Sequence, residues 1–130
     1  MVEPVVIFLR QGEYDAVHEG LSIAAAAVAG GRRAELYFSW WALERLVKDR
    51  LDEPDLREDV AGVMERRGVP TLRQLLTHVR ESKLGGIYAC SGSLHALGFN
   101  PADVEGRVDE LVGWSSILKR TAGRVDRFFL

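Results

Sequence analysis

The apolar and polar positions of the chain fall into blocks that predict strands and helices in alternation. Residues Val5–Leu9 form a continuous apolar run rich in β-branched side chains, which is typical of a strand buried on both faces of a parallel sheet. Helical spacing begins at Asp15 and stops at Gly30-Gly31, and its apolar positions are Val17, Leu21, Ala24 and Val28. A second strand is predicted over residues 34–40. This unit has the size of a right-handed βαβ crossover, about 35 residues, which makes its two strands parallel.

The same alternation continues along the rest of the chain. Helices are predicted over residues 42–51 and 57–67, with a turn at 52–55, and a third helix begins with the capping-box pair Thr71 and Gln74. The remaining predicted elements are a turn at Gly85-Gly86, a strand at 87–90, a short helix at 91–97 closed by Gly98, a turn at Asn100-Pro101, a strand at 111–113, a helix at 115–122 and a strand at 124–130. We therefore expect an α/β fold with one mostly parallel sheet of about five strands and helices on both faces, a flavodoxin-like three-layer sandwich.

Length, charge and cysteine content narrow the class of protein. At 130 residues the chain fits one domain, residues 1–130. Its net charge of -2 gives no reason to expect nucleic acid or an anionic membrane surface as a partner. The start lacks a basic signal-peptide region, and the longest apolar run, residues 23–29, is far shorter than the roughly 20 residues that span a bilayer. With a single cysteine, and so no internal disulfide, a cytoplasmic protein is expected.

The carboxyl ends of the predicted strands collect the candidate binding residues. Ligands of open parallel sheets bind at this edge. The residues that follow the strands here are Arg10, Gln11 and Gly12, then Ser39, Trp40 and Trp41, then Cys90, Ser91, Gly92 and Ser93, and last Trp114. They include all three tryptophans and the only cysteine. Tryptophans also fill cores and subunit interfaces, so that explanation stays open at this point.

Cys90 is the sharpest candidate for chemistry. Ser91, Gly92 and Ser93 follow it with small side chains and start a predicted helix, whose free backbone N–H groups favour the thiolate, the nucleophilic form of cysteine. The alternative is that Cys90 is a small buried hydrophobic residue. His95 lies five residues further on, and this spacing does not favour a role as a base for a residue at the helix start.

No cofactor or metal motif accompanies Cys90. The chain has no Cys-x-x-Cys pair, no G-x-G-x-x-G after a strand, no Walker A sequence and no G-x-S-x-G. His18 and His78 are interpreted as surface or packing residues, and no histidine and carboxylate pair has a recognisable metal spacing. The prediction is a site without cofactor or metal, with Cys90 as its catalytic residue.

Residues 86–93 (GIYACSGS), followed by Leu97-Gly98, resemble the DsrE/DsrF-like family of sulfur-relay proteins. In that family a cysteine follows a strand of the type I-Y-A, and a short helix ends in glycine. Residues 69–72, which head a helix into this strand, and Val112-Gly113, which lead into a helix and a last strand, are similar to the family as well. The resemblance covers nearly the whole chain and is poorest over residues 42–67.

The resemblance implies a function for Cys90. Family members have a small α/β fold, assemble as trimers or hexamers, and in the sulfur-relay branch hold a persulfide on the matching cysteine. By this likeness Cys90 takes sulfane sulfur from a donor protein and passes it to an acceptor protein, a sulfurtransferase-type activity that needs only one cysteine. Some members carry the label peroxiredoxin-like, but the chain has no peroxidase-type motif.

Two other hypotheses stay open. In the first, the protein is a non-catalytic homo-oligomeric module in which Cys90 is structural and the tryptophan-rich edge binds a small ligand or a subunit. In the second, it is a thiol redox sensor that forms an intermolecular disulfide through Cys90. The reactivity of the thiol separates these hypotheses from sulfur relay.

Overall fold

The computed structural model describes residues 2–55 and 58–130, and of Glu58 only the backbone. The strands are β1 (Val5–Leu9), β2 (Ala34–Phe38), β3 (Gly85–Cys90), β4 (Glu110–Val112) and β5 (Arg127–Phe129). The helices are α1 (Tyr14–Ala29), α2 (Trp40–Val47), α3 (Glu58–Arg66), α4 (Leu72–Glu81), α5 (Ser91–Ala96) and α6 (Trp114–Thr121), and a 3-10 turn spans Pro101–Val104. Across these ranges no helix combines the length and apolar character needed to cross a membrane.

The five strands form one sheet in the order β4-β3-β2-β1-β5, and every pair is parallel. From β1 to β4 each strand is added on the same side of the one before, so right-handed crossovers place the connecting helices on one face. After β4 the chain crosses back to the far side of β1, and α6 lies on the opposite face. Leu94 of α5 accordingly belongs to one core cluster, and Ile117 of α6 belongs to the other. The predicted α/β fold with helices on both faces is confirmed.

The alternation of side chains along β1 divides the interior between these two faces. Val5, Ile7 and Leu9 belong to the main cluster beneath α1, α2, α4 and α5, whereas Val6 and Phe8 belong to the smaller cluster beneath α6. All five residues are buried, which explains why the run is apolar at every position rather than at alternate ones. This interior strand therefore has no polar face.

Helix α4 begins where the capping-box pattern predicts. The Gln74 backbone N–H donates to the Thr71 hydroxyl at 3.2 Å, and the Thr71 N–H donates to Gln74 Oε1 at 2.9 Å. Its apolar stripe packs toward α1 and the sheet, and consists of Leu72, Leu75, Leu76 and Val79. This helix was predictable because its start signal and its periodicity are both local.

The predicted strand over residues 34–40 is wrong at its end, because β2 stops at Phe38. The Ser39 N–H still donates to the Leu9 carbonyl at 2.9 Å, so Ser39 continues the sheet direction. Trp40 then takes a positive φ of 44° and begins α2. Trp40, which was predicted to end the strand, therefore lies in the first turn of a helix.

The Gly85-Gly86 pair was predicted as a turn, and this prediction is wrong. Both glycines lie in β3, where they pair with Ala34 and Glu35 of β2. A Cβ on Gly85 would come 2.2 Å from Val79 Cγ1, so the glycine lets the strand pass directly beneath α4. The composition signal for a turn was overridden by a tertiary contact.

The other boundaries shift by a few residues. The predicted helices correspond to α2 (predicted 42–51), α3 (57–67), α5 (91–97) and α6 (115–122). The predicted strands correspond to β4 (predicted 111–113) and β5 (124–130). The predicted start of the helix that corresponds to α3, Arg57, lies outside the described residues. Gly98, with a φ of 81°, closes α5 as expected for a helix-ending glycine.

Replacing Gly85 with alanine tests the contact between β3 and α4. The added methyl group overlaps Val79, whose carbonyl oxygen also lies only 3.0 Å from the Cβ position. We expect Gly85→Ala to lower the free energy of unfolding by about 1–3 kcal/mol in a urea titration.

Gly30→Ala is the matched control, because its φ is -84° and no atom outside the neighbouring residues comes closer than 3.5 Å to the added methyl group. We expect this control to unfold at or above the wild-type midpoint. Equal stability of the two variants would show that β3 can move away from α4 at no cost.

Candidate functional site

Cys90 lies beside the point where the connecting helices change from one face of the sheet to the other. It ends β3, which is followed by α5 on the main-core face, and the adjacent β4 is followed by α6 on the other face. Neighbouring strands whose outgoing helices lie on opposite faces leave a crevice between them at their carboxyl ends, and this is where open α/β sheets bind ligands. The sequence placed Cys90 at a strand end, and the topology adds that this strand end borders a crevice.

The sulfur of Cys90 is recessed, with open space on one side. The residue pairs with Val112 of β4 and, by alternation from Tyr88, its side chain lies on the face covered by α6. It is 3% exposed. Gly92 stands over it, and a Cβ built there meets no atom within 4 Å except the Cys90 sulfur at 3.9 Å, outside its chain neighbours and its own helix backbone. The sulfur itself is buried, and the open position beside Gly92 is the side from which we expect a small reactant to approach it.

A cavity of about 290 Å³ lies beside this crevice, at the carboxyl ends of β1 and β5. It brings together a set of residues that the sequence predicted for the site, namely Arg10, Gln11, Ser39 and Trp114. The other lining residues were not predicted, and they are Phe8, Phe129 and Leu130. Sequence reasoning missed them because they look like ordinary strand residues. Only the pairing of β5 with β1 brings the end of the chain to this edge.

Ser39 connects the cavity with Cys90. Phe38 pairs with Ala89 across β2 and β3, and the next residues along the two strands are Ser39 and Cys90. Ser39 keeps an extended backbone, with φ -138° and ψ 162°. It therefore lies next to Cys90 on the same face of the sheet while it also lines the cavity.

A row of stacked aromatic rings crosses the sheet on this face. The Phe8 ring lies at its centre, with ring centroids 4.7 Å from Phe129, 5.4 Å from Tyr37 and 5.9 Å from Trp114. The row continues from Tyr37 to Tyr88 at 5.0 Å. Phe8 is buried, whereas Trp114 and Phe129 are 51% and 69% exposed, so the row runs from the interior to the surface at the cavity.

The two tyrosines of this row remain neutral near physiological pH. Burial raises the pKa of Tyr37, and the neighbouring Glu35 carboxylate raises it further. The Tyr37 hydroxyl donates a hydrogen bond to Glu35 Oε1 at 3.1 Å. Burial likewise raises the pKa of Tyr88, whose ring lies 5.2 Å from the guanidinium carbon of Arg120. These phenols are placed to pack and to donate hydrogen bonds, not to act as bases.

The loop that carries Gly12 is held in place by a partly buried arginine, Arg45. Arg45 donates from Nε to the Gly12 carbonyl and from Nη2 to the Asp55 carboxylate at 2.9 Å. Asp55 in turn accepts the Tyr14 N–H through both oxygens, at 3.0 and 3.1 Å, and so caps α1 from a distant part of the chain. Gly12 lies so close to Trp41 that a Cβ would come 2.8 Å from the Trp41 Cβ. Gly12 thus supports the edge and does not line the cavity.

The remaining predicted residues do not line the cavity. Trp40 and Trp41 are 40% and 53% exposed, with ring centroids 5.9 Å apart, so with Trp114 all three tryptophans stand at the surface. The alternative that they fill the core is therefore wrong, and a role in a subunit interface stays a prediction. Ser93 is buried, and His95 is exposed on α5.

A larger cavity of about 480 Å³ lies near Tyr14 and Thr71, and its lining contains none of the predicted site residues. In the part of the chain that the structure describes, no group of three or more His, Cys, Asp or Glu side chains could hold a metal ion. His18, interpreted from the sequence as a surface or packing residue, is partly buried, and its Nε2 lies 3.1 Å from the Pro70 carbonyl oxygen.

Comparison with known proteins supports the fold and leaves the function open. A solved structure of a protein of unknown function, MTH1491 from Methanobacterium thermoautotrophicum, is similar over 98% of this chain and 99% of its own, with a TM-score of 0.61 and 17% sequence identity. No protein-family model matches the chain, and no curated protein is matched. At this identity the likeness shows that the two chains share a fold, and it assigns no site.

The open space over Gly92 can be tested by closing it. We expect Gly92→Val to slow modification of Cys90 by a small thiol reagent such as methyl methanethiosulfonate roughly tenfold, which corresponds to about 1.4 kcal/mol in the barrier. The rate is measured by mass spectrometry of the intact chain.

His95→Val is the control, because it places the same side chain one turn further along α5 at an exposed position. Its rate should match that of the wild type. If both variants react as fast as the wild type, reagents reach Cys90 by another path.

Proposed function

We propose that the protein is a sulfur carrier that accepts sulfane sulfur on Cys90 and passes it to a partner protein. The observation that carries the proposal is the position of the Cys90 sulfur, which is recessed in the crevice between β3 and β4 and open on the side of Gly92. The sequence likeness of residues 86–93 to sulfur-relay proteins supports it. The activity would be of the sulfurtransferase type and would need neither metal nor cofactor.

The transfer is a thiol–disulfide type of exchange in which no net oxidation occurs. The Cys90 thiol first loses its proton to solvent. The thiolate then attacks the outer sulfur of the donor's persulfide, so that a sulfur–sulfur bond forms on Cys90 while the donor's sulfur–sulfur bond breaks and its thiolate leaves. An acceptor thiolate repeats the step on the outer sulfur of Cys90, which returns as a thiolate. One cysteine in this chain is sufficient for the whole cycle.

The surroundings of Cys90 suit a small sulfur group better than a large one. Ser91, Gly92 and Ser93 form the first turn of α5, whose N–H groups have no acceptor in a preceding turn and favour negative charge. Gly113 also faces this turn, since a Cβ there would come 3.3 Å from Ser91 Oγ. The missing side chain of Gly92 leaves space beside the Cys90 sulfur, which suits one additional sulfur atom.

The proposal includes assembly of several copies and a cytoplasmic location. The resemblance implies a trimer or hexamer. Large apolar side chains that stand at the surface outside the cavity support an interface, and they are Leu118 and Val125. The donor and acceptor would be other proteins, and nucleic acid and membranes have no part in the proposal.

Mass spectrometry after incubation with a persulfide donor tests the function. We expect each wild-type chain to gain the mass of one sulfur atom, which a reducing agent removes. Cys90→Ala should gain none, and because the substitution removes one buried sulfur, this variant should stay folded. An unmodified wild-type chain, with donor confirmed active on another thiol, would contradict the proposal.

A second candidate, a ligand-binding module in which Cys90 is structural, is favoured by the cavity. Four predicted residues meet there, and Cys90 is not among those that line it. A thiol redox sensor has less support, because a disulfide would bring two Cys90 residues, each only 3% exposed, into direct contact, whereas the outer sulfur of a donor persulfide extends one atom beyond its own cysteine.

A further inference from the structure

We propose that the cavity at the ends of β1 and β5 binds a small planar aromatic molecule that carries one carboxylate. The inference rests on Phe8, Trp114, Phe129 and Arg10, and it does not depend on the persulfide chemistry of Cys90. Three features of the cavity lead to it, namely its volume, the aromatic faces that line it and the charge at its rim.

The volume sets the size of the ligand. A protein cavity of about 150 Å³ is large enough to hold benzene. The cavity here, at about 290 Å³, has room for one aromatic ring and a short side arm. It lies at the lower end of the range of small-molecule sites, about 300–1,000 Å³, so a nucleotide-sized ligand does not fit inside it.

The shape of the ligand follows from the aromatic walls. Phe8 forms the buried base, and the Trp114 and Phe129 rings are inclined to it by only 21° and 11°. About half of Trp114 and two thirds of Phe129 remain exposed, although both are large apolar side chains. Nearly parallel rings with free faces offer stacking to another flat ring, and covering them removes apolar surface from water.

The charge of the ligand follows from Arg10. In the described chain no acidic side chain lies within ion-pair distance of its guanidinium, whereas Arg32, Arg45, Arg73 and Arg120 each contact a carboxylate. The described lining of the cavity contains no acidic side chain, and its other charged group is the terminal carboxylate of Leu130 in this chain, which already accepts the backbone N–H groups of Arg10 and Gln11. A free guanidinium binds a carboxylate through two parallel hydrogen bonds, and it repels a cationic ligand.

Neutral polar groups complete the rim. Gln11 and Ser39 both line the cavity. The Gln11 side-chain amide can donate hydrogen bonds to a carboxylate, and the Ser39 hydroxyl, which donates a long bond of 3.5 Å to the Leu9 carbonyl, can do so by rotating. The backbone N–H groups of Arg10 and Gln11 are already used, since both donate to the Leu130 carboxylate, at 2.7 and 3.3 Å. Recognition of the anion therefore depends on side chains, with Arg10 as the only cation among them.

A matched series of three probes separates ring from charge. Phenylacetate, phenylacetamide and phenethylamine share the ring and the short arm, and they carry a negative, a neutral and a positive group. Binding to the full chain is measured by saturation-transfer NMR and by tryptophan fluorescence. We expect phenylacetate to bind at least tenfold more tightly than the amide, and the amine to bind more weakly than the amide.

Variants locate the binding. Arg10→Gln should weaken phenylacetate binding about tenfold and leave phenylacetamide unchanged. Arg33→Gln is the control, since Arg33 is also exposed but lies before β2, at the opposite edge of the sheet. Trp114→Ala should weaken phenylacetate and phenylacetamide by similar factors, because it removes an aromatic wall and not the charge.

Each outcome bears on the proposal. Equal affinity for the three probes, preference for the amine, equal loss in the two arginine variants, no effect of Trp114→Ala, or no saturable binding at millimolar concentration would overturn it. Cys90→Ala should bind phenylacetate as the wild type does. Failure of sulfur transfer and failure of ligand binding are therefore distinguishable.

Discussion

One constraint shapes the candidate site. Strands β1 to β4 are added in one direction across the sheet, but the chain then returns to place β5 beyond β1, and in the described chain α6 is the helix that packs on the second face. The crossovers from β1 to β4 place the helices before β4 on the side of the main core, to which α3 contributes the partly buried Met64. The opposite face receives only α6, which has eight residues. A short helix cannot cover five strands, so Trp114 and Phe129 reach solvent beside the buried Phe8 and Tyr37. The crevice, the cavity and the exposed apolar surface all follow from that incomplete cover.

The same face combines two chemical features that need not act together. Cys90 and Ser39 lie side by side on this face, because each directly follows one residue of the last β2–β3 pair, Phe38 and Ala89. Ser39 also lines the cavity, and Cys90 lies just outside it. A recessed thiol next to an aromatic pocket that contains Arg10 is compatible with sulfur transfer and with ligand binding. Fold likeness does not choose between them, because function depends on local sites that one fold can present in many ways.

Local signals in the sequence predicted what local physics controls. The apolar run Val5–Leu9, the capping box at Thr71 and the helix-ending Gly98 each depend on residues a few positions apart, and all three were placed correctly. The predictions that failed were those in which a distant contact decides. Gly85 was predicted to lie in a turn because glycine is common there. In the structure it lies in a strand, and it has no side chain because Val79, on the helix packed against that strand, occupies the space. Asp55 caps α1 from 41 residues away, and no local pattern indicates such a cap.

The sequence by itself determined the order of the elements, the parallel character of the sheet and the set of residues at its carboxyl edge. Hydrophobic periodicity and the handedness of crossovers decide these features, and neither depends much on which distant side chains come into contact. Only the tertiary structure decided which of those residues meet. It grouped Arg10, Gln11, Ser39 and Trp114 with Phe8 and Phe129, recessed Cys90 beneath Gly92, and left the tryptophans at the surface. The physical reason is that the side on which a strand is added, and the face on which each helix packs, are set by contacts between residues far apart in the chain.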